Sequence, residues 1–201
     1  MTKKHWEKIY KNKEIDETSW YQENPEQSLN LISSTKLPKE SSIIDVGGGE
    51  SLLANKLIES GYRNITVLDI SSTSIRKVKK RLGRNSKNIE FVLSDILEYD
   101  TSKRFDVWHD RATFHFLINE LDIKKYVKLL DQLIKSGGYL IIATFSTKGP
   151  DMCSGLDVKQ YSKESMKKIF NNFRLVKSLE ANHRTPSGKI QKFIYCMFKK
   201  K

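Results

Sequence analysis

The run IIDVGGGES, Ile43 to Ser51, constrains the fold more than any other stretch of this 201-residue chain. Ile43, Ile44 and Val46 are β-branched and apolar, as a strand buried on both faces requires. Gly47, Gly48 and Gly49 then let the backbone turn sharply and approach a ligand with no side chain in the way. Ser51 caps or opens the helical segment SLLANKLIES, whose Leu52, Leu53 and Leu57 fall mostly on one face and whose end is marked by Gly61. A strand, a glycine corner and a helix in direct succession read as the first unit of a nucleotide-binding α/β fold. Taken alone, the motif also reads as an ordinary tight turn.

The rest of the chain supports the α/β reading. After Pro38 the pattern predicts strand 42–46, helix 51–60, strand 64–69, helix 72–82, strand 89–93, strand 105–109, helix 121–134 and strand 139–145. Such alternation demands a doubly wound, parallel sheet covered on both faces. The tail differs: helix 162–170 leads into strands near 173–180 and 191–198, joined through TPSGK as an antiparallel hairpin. Ahead of Pro38, Trp6, Ile9 and Tyr10 lie at helical spacing, a linker carries Trp20 and Tyr21, and Asn24–Pro25 opens a second helix, EQSLNLISS. A chain of this length supports one domain, divided into an arm, residues 1–40, and the α/β unit, residues 41–201.

A dinucleotide fingerprint places glycines at its first, third and sixth positions, and here the sixth is Leu52. Asp45, Gly47 and Gly49 instead resemble motif I of the class I S-adenosylmethionine methyltransferases. Asp69 follows Gly47 at close to the ~20-residue offset at which an acid meets ribose hydroxyls. Ser94, Asp95 and Ile96 resemble the third motif of that family, and FDVWHD, residues 105–110, the fourth. LLDQLIKSGGYLIIATF is similar to the family's helix, Gly-Gly turn and fifth strand, with Ser136 where proline is common. The resemblance is clear from Ser41 to Phe145 and loose elsewhere. His5, Trp6, Tyr10, Ser19 and Trp20 are similar to the N-terminus of a small bacterial branch, and loosely to the thiopurine methyltransferases.

The resemblance implies a seven-stranded, mostly parallel sheet with an antiparallel last strand. It also implies S-adenosylmethionine as cofactor, held by Trp20, Asp45, Gly47, Gly48, Gly49, Ser51, Asp69, Ile70, Asp95, Ile96 and His109. In this reading Asp45 suits the cofactor's cationic end, Asp69 accepts from the ribose, Asp95 accepts from the adenine amino group and Ile96 packs on the ring. The arm lies over the cofactor, with Trp20 facing its sulfonium through cation–π attraction; Trp6 and Tyr10 are assigned to packing of the arm itself.

Individual character comes from WHDRATFHFL after the fourth strand. His109, Asp110, Arg111, Thr113, Phe114, His115 and Phe116 are expected to see the substrate; of the chain's residues, Asp110 and His115 are the candidate catalytic residues, and Tyr21, Arg111 and Phe114 the candidate substrate contacts. Each has a structural alternative: a salt bridge for Asp110, a hydrogen-bonded core position for His115, an ion-pair anchor for Arg111. Asp110, Arg111, Ala112 and Thr113 also resemble the Asp-Lys-Gly-Thr segment of a group of protein lysine methyltransferases, with arginine and alanine departing from it. The implied activity is methyl transfer to a small molecule or a protein side chain, in which the enzyme mainly positions the acceptor and excludes water. Asp69→Ala is expected to abolish cofactor binding and leave the fold intact.

Composition bounds the alternatives. The net charge is +12, which admits a nucleic-acid acceptor. Its lysines are scattered over helix surfaces, however, and no Pro-Pro-aromatic or Pro-Cys signature follows the fourth strand. A SAM-binding protein without turnover is the third reading. Cys153 and Cys196 lack metal-like spacing, so no metal site is expected and a reducing cytoplasm is the default. Cys196 reads as core and Cys153 as a small loop residue. No targeting or membrane-spanning segment is evident, and no membrane partner is expected.

Overall fold

Strand β1, Ser42–Val46, is buried along its whole length, because neighbours flank it on both edges and helices cover both faces. A computed structural model describes residues 2–201. In chain order the elements are α1 (Lys3–Asn12), α2 (Glu26–Ser34), β1, α3 (Leu53–Glu59), β2 (Asn64–Asp69), α4 (Ser72–Leu82), β3 (Ile89–Leu93), β4 (Phe105–Arg111), α5 (Glu120–Leu133), β5 (Ile134–Phe145), β6 (Met152–Cys153), β7 (Leu156–Asp157), α6 (Lys163–Ile169), β8 (Phe173–Arg184) and β9 (Ile190–Lys200).

Seven strands form one sheet in the order β3-β2-β1-β4-β5-β9-β8. The first five are mutually parallel, and β9 runs antiparallel between β5 and β8. The expected mostly parallel sheet with an antiparallel last strand is therefore the observed architecture. Successive strand residues face opposite sides. Ile44, Trp108 and Ile142 enter one core cluster, with α5 and α6, while Ile43, Val107 and Ile141 enter the other, with α2, α3 and α4.

Several boundaries move for identifiable reasons. The helix expected from residue 51 begins at Leu53, because the Ser51 N–H closes the corner onto the Gly48 carbonyl at 2.8 Å and its hydroxyl oxygen accepts from the Leu53 N–H at 3.1 Å. Helix α2 starts at Glu26, with Pro25 in the capping position, and it is the Asn24 carbonyl, not its side chain, that accepts from the Glu26 N–H. Strand β5 begins at Ile134, ahead of the Gly-Gly pair, and a register shift against β4 absorbs the glycines. The short hairpin β6–β7 was absent from the sequence expectation. Its turn residues Ser154 and Gly155 both have positive φ, which suits a type I′ turn. No helix among the described residues is long and apolar enough to cross a membrane.

Candidate functional site

The switch in strand order lies between β1 and β4, which is where open α/β sheets place their ligands, beyond the carboxyl ends of the strands. A cleft of about 1040 Å³, open solvent at its mouth included, lies there, walled by the ends of β1, β2, β3 and β4 and roofed by the N-terminal arm.

The glycine corner forms its floor. Gly47 and Gly49 have φ of +62° and +50°. A Cβ on Gly47 would land on the Thr113 hydroxyl, and one on Gly49 on the Tyr10 hydroxyl. The corner is thus clamped between the segment after β4 and helix α1, and only glycine fits. Gly47 and Gly48 line the cleft, whereas Gly49 sits behind it and donates its N–H to Asp69 Oδ2 at 2.9 Å.

Asp69 ends β2 and lines the cleft almost fully buried. Its other oxygen accepts from the Ser71 N–H at 2.7 Å and the Ser74 hydroxyl at 3.0 Å. Burial pushes its carboxyl up to about 6 in spite of these bonds. One side chain therefore ties the glycine corner to the start of α4, a structural duty the sequence reading did not assign to it. Asp95 and Ile96 follow β3 into the same wall, the Asp95 carboxylate accepting from the Leu97 N–H at 3.0 Å. Ser51 and Ile70 line the cleft as well.

Asp45 and His109 face each other across β1 and β4, with Asp45 Oδ1 2.7 Å from His109 Nδ1. The other ring nitrogen, Nε2, is 2.8 Å from the Ser28 hydroxyl of α2. A carboxylate oxygen accepts, so Nδ1 is the nitrogen that donates to Asp45, and Nε2 is left to the Ser28 hydroxyl. Asp45 therefore shares its charge with His109 instead of standing as a free counter-charge. The Asp45–His109–Ser28 chain also anchors the arm to the sheet.

The arm contributes aromatic surface. Trp6 meets Trp20 edge-to-face at 5.8 Å and Phe116 at 5.2 Å, and Tyr10 meets Trp20 at 6.0 Å. Trp20 and Tyr21 line the cleft as expected, and so do Trp6 and Tyr10, which the sequence reading left to packing. Thr113 and Phe116, expected among the substrate-facing residues after β4, line it too, whereas Ser28 and Glu50 were missed and Cys153 was favoured as an ordinary loop residue. The presence of polar Ser28 amid the apolar positions of α2 is the one signal that pointed inward. Glu50 is buried, pairs with Lys77 at 3.3 Å and is pushed upward by burial.

Three expected residues lie away from the cleft. Asp110 is fully buried and spends its carboxylate on the Thr113 N–H at 3.0 Å, the Phe114 N–H at 3.1 Å and the Tyr126 hydroxyl at 2.6 Å. It follows His109 in β4 and so points to the opposite face of the sheet. His115 is fully buried between Phe116 and Phe145. Burial and then the charge of Arg111 lower its imidazole to about 3, so it stays neutral. Phe114 is fully buried against Tyr126, Tyr161 and Phe170. Neither candidate catalytic residue reaches a ligand in the cleft, and Phe114 is core.

Arg111 does reach it. Its Nε donates to the Tyr195 hydroxyl at 3.1 Å and Nη1 to the Trp20 carbonyl at 3.2 Å, and the guanidinium lies 4.7 Å over the Phe193 ring. The next residue, Ala112, has φ +68°, where the similar lysine-methyltransferase segment carries glycine. This αL residue turns the chain so that the Thr113 hydroxyl donates to the Val46 carbonyl at 3.1 Å.

The family model described as "Methyltransferase domain" matches residues 37–199. Malonyl-[acyl-carrier protein] O-methyltransferase 2 of Ilyobacter polytropus is 30% identical over 128 residues, covering 63% of this chain and 44% of that protein. Human EEF1A lysine methyltransferase 2 is 25% identical over 158 residues, covering 71% of this chain and 67% of that protein. This chain thus spans less than half the length of the first relative and two thirds of the second. Among solved structures, the N-methyltransferase NodS from Bradyrhizobium japonicum WM9, in complex with S-adenosylhomocysteine, superposes with a TM-score of 0.74 at 16% identity, covering 98% of each chain. At that identity the likeness concerns the fold.

Proposed function

The chain belongs to the methyltransferase domain family, and we propose that it transfers a methyl group from S-adenosylmethionine to a small-molecule or protein side-chain acceptor. The observation that carries this reading is the convergence, in one cleft, of the glycine corner, Asp69 and Asp95 from three strand ends with the aromatic roof of the arm. The lining fits the cofactor chemically. Asp45, Glu50, Asp69 and Asp95 contribute four acids against one arginine, which suits a ligand carrying an ammonium and a sulfonium, and the rings of Trp6, Tyr10 and Trp20 favour a cation over an anion. S-adenosylmethionine supplies a methyl group on a positively charged sulfur, a ready electrophile.

The protein's part is placement. In this reading Asp69 takes the ribose hydroxyls, Asp95 and Ile96 the adenine, and Gly47, Gly48 and Ser51 the amino-acid end, while the 1–40 arm, pinned through Ser28 to His109, excludes water. With Asp110 and His115 outside the cleft, proton removal from an acceptor falls to the Ser28–His109–Asp45 chain or is not needed. Two unpaired, buried cysteines suit a reducing cytoplasm, where we place the reaction.

The test is transfer of labelled methyl from S-adenosylmethionine into cell extract divided into small molecules, protein and RNA. Label is expected in the small-molecule or protein fraction. Label in RNA alone would replace the acceptor class, and an unlabelled extract would sink the activity. Asp69→Ala is expected to weaken S-adenosylhomocysteine binding by roughly 100-fold or more in calorimetry, combining a lost charge-assisted acceptor with a loosened glycine corner.

A further inference from the structure

Arg111 is a cation without a counter-ion at the edge of the cleft. It makes no ion pair among the described residues. Its bonds to Tyr195 and Trp20 go to neutral oxygens, and Nη2, which is buried, has no acceptor among the described residues. Its charge is felt by its neighbours: after burial itself, it is the next cause lowering His115, to about 3, and His183, to about 4. Arg111 is partly exposed and lines the cleft, so an anion entering it meets a positive charge that no carboxylate of the protein already neutralises. Packing against Phe193 and bonds through Nε and Nη1 hold the guanidinium at the wall of the cleft.

Resting on the methyltransferase reading above, we propose that Arg111 forms a carboxylate subsite, and that the methyl acceptor is a small molecule bearing a carboxylate. Three considerations select this class. A lysine ammonium would meet an uncompensated positive charge, which argues against the acceptor of the lysine-methyltransferase relative. A phosphate dianion would face one guanidinium and the four acids of the cleft, whereas a single negative charge is matched by a single arginine. Trp20, Phe116, Ala112 and Cys153 line the same cleft, which suits an acceptor whose body is apolar beyond its carboxylate. The four acids lie toward the ends of β1, β2 and β3 and serve the cationic cofactor, so the two charges of opposite sign divide the cleft between cofactor and acceptor.

The experiment uses the whole protein, methyl-labelled S-adenosylmethionine and the small molecules of a cell extract, split at neutral pH on an anion exchanger into retained and unretained pools. Label is expected in products made from the retained pool, with or without prior phosphatase treatment of that pool. Arg111→Met is expected to lower that labelling roughly 10- to 100-fold, the range for loss of a charge-assisted contact, while S-adenosylhomocysteine affinity by calorimetry stays within about 2-fold. Arg111→Gln, which keeps a donor toward Tyr195 and Trp20, serves if the methionine variant melts at low temperature. Labelling of the unretained pool or of protein would overturn the carboxylate assignment and leave the methyltransferase reading standing. Loss of labelling on phosphatase treatment would overturn it in favour of a phosphate. A variant that is folded by melting but has lost S-adenosylhomocysteine affinity would assign Arg111 to the cofactor instead. No label in either pool would overturn the subsite, and an absence of label from the protein of whole extract as well would sink the parent activity.

Discussion

Asp69 and Asp110 are chemically the same residue at the ends of two strands, and both are pushed up to about 6 by burial, yet they do different work. Asp69 faces the cleft and holds the glycine corner; Asp110 faces the opposite core and holds the turn after β4 together with Tyr126, which also accepts from the Trp108 indole N–H at 3.0 Å. For an acid raised in the folded state the unfolded chain releases its proton first. Stability therefore falls as pH climbs from about 4 to about 6 and levels off above that. Asp110→Asn is expected to flatten this dependence in urea titrations across that window and to leave S-adenosylhomocysteine affinity unchanged. Asp110→Ala strands two backbone N–H groups and the Tyr126 hydroxyl, and is expected to cost about 3 kcal/mol or more in the same titrations. A pronounced loss of cofactor affinity in the asparagine variant would return Asp110 to the site.

Between elements, the contact that decides whether the cleft has a roof is α1 on α4. Glu7 of α1 caps the start of α4: its carboxylate accepts from the Ser72 N–H at 2.6 Å, the Ser72 hydroxyl at 2.9 Å and the Thr73 N–H at 3.3 Å. Burial works to raise its carboxyl, but hydrogen bonds from Thr73 and Ser72 outweigh it and hold the group down to about 2, and a negative charge at a helix N-terminus is favoured by the aligned peptide dipoles. An acid depressed in the folded state contributes stability above its unfolded value of 4.5, and that contribution fades as pH falls toward 2. Glu7→Gln is expected to speed hydrogen exchange of the α1 amides at pH 7 by roughly 5-fold, the equivalent of about 1 kcal/mol for such a cap. Exchange unchanged in α1 would mean that the aromatic contacts of Trp6 and Tyr10 hold the arm without it.

At the scale of the molecule, the cleft joins parts that are remote in the chain: the corner at Gly47–Gly49, the ends of β2 and β3, the segment after β4 and the arm. A ligand in it bridges these parts, so binding is linked to global stability. S-adenosylhomocysteine at 100 times its dissociation constant should add about 2.7 kcal/mol, hence raise Tm by roughly 5–10 °C for a domain of this size, read by calorimetric melting. No shift at saturating ligand would place the compound outside the folded cleft. Among the described residues Arg111 is the one lysine or arginine that lines the cleft, so the +12 charge lies almost wholly outside it.

Sequence alone determined the sheet and the glycine corner of the cleft, because both depend on local signals. Fully apolar strands such as Ile43–Val46 are stable only inside a covered parallel sheet, and glycine is the residue that tolerates the φ of +62° and +50° at the corner. Tertiary structure decided the rest of the lining. Whether Asp110 or His109 faces the cleft depends on the pleat phase of β4 against its neighbours, which a single strand does not encode. Ser28 meets His109 only because α2 folds back over the sheet, and Trp6 and Tyr10 meet the cleft only because α1 docks on α4. The hairpin that brings Cys153 to the wall has strands of two residues each, too short to carry a period. Long-range pairing set these contacts, and it leaves no spacing to read.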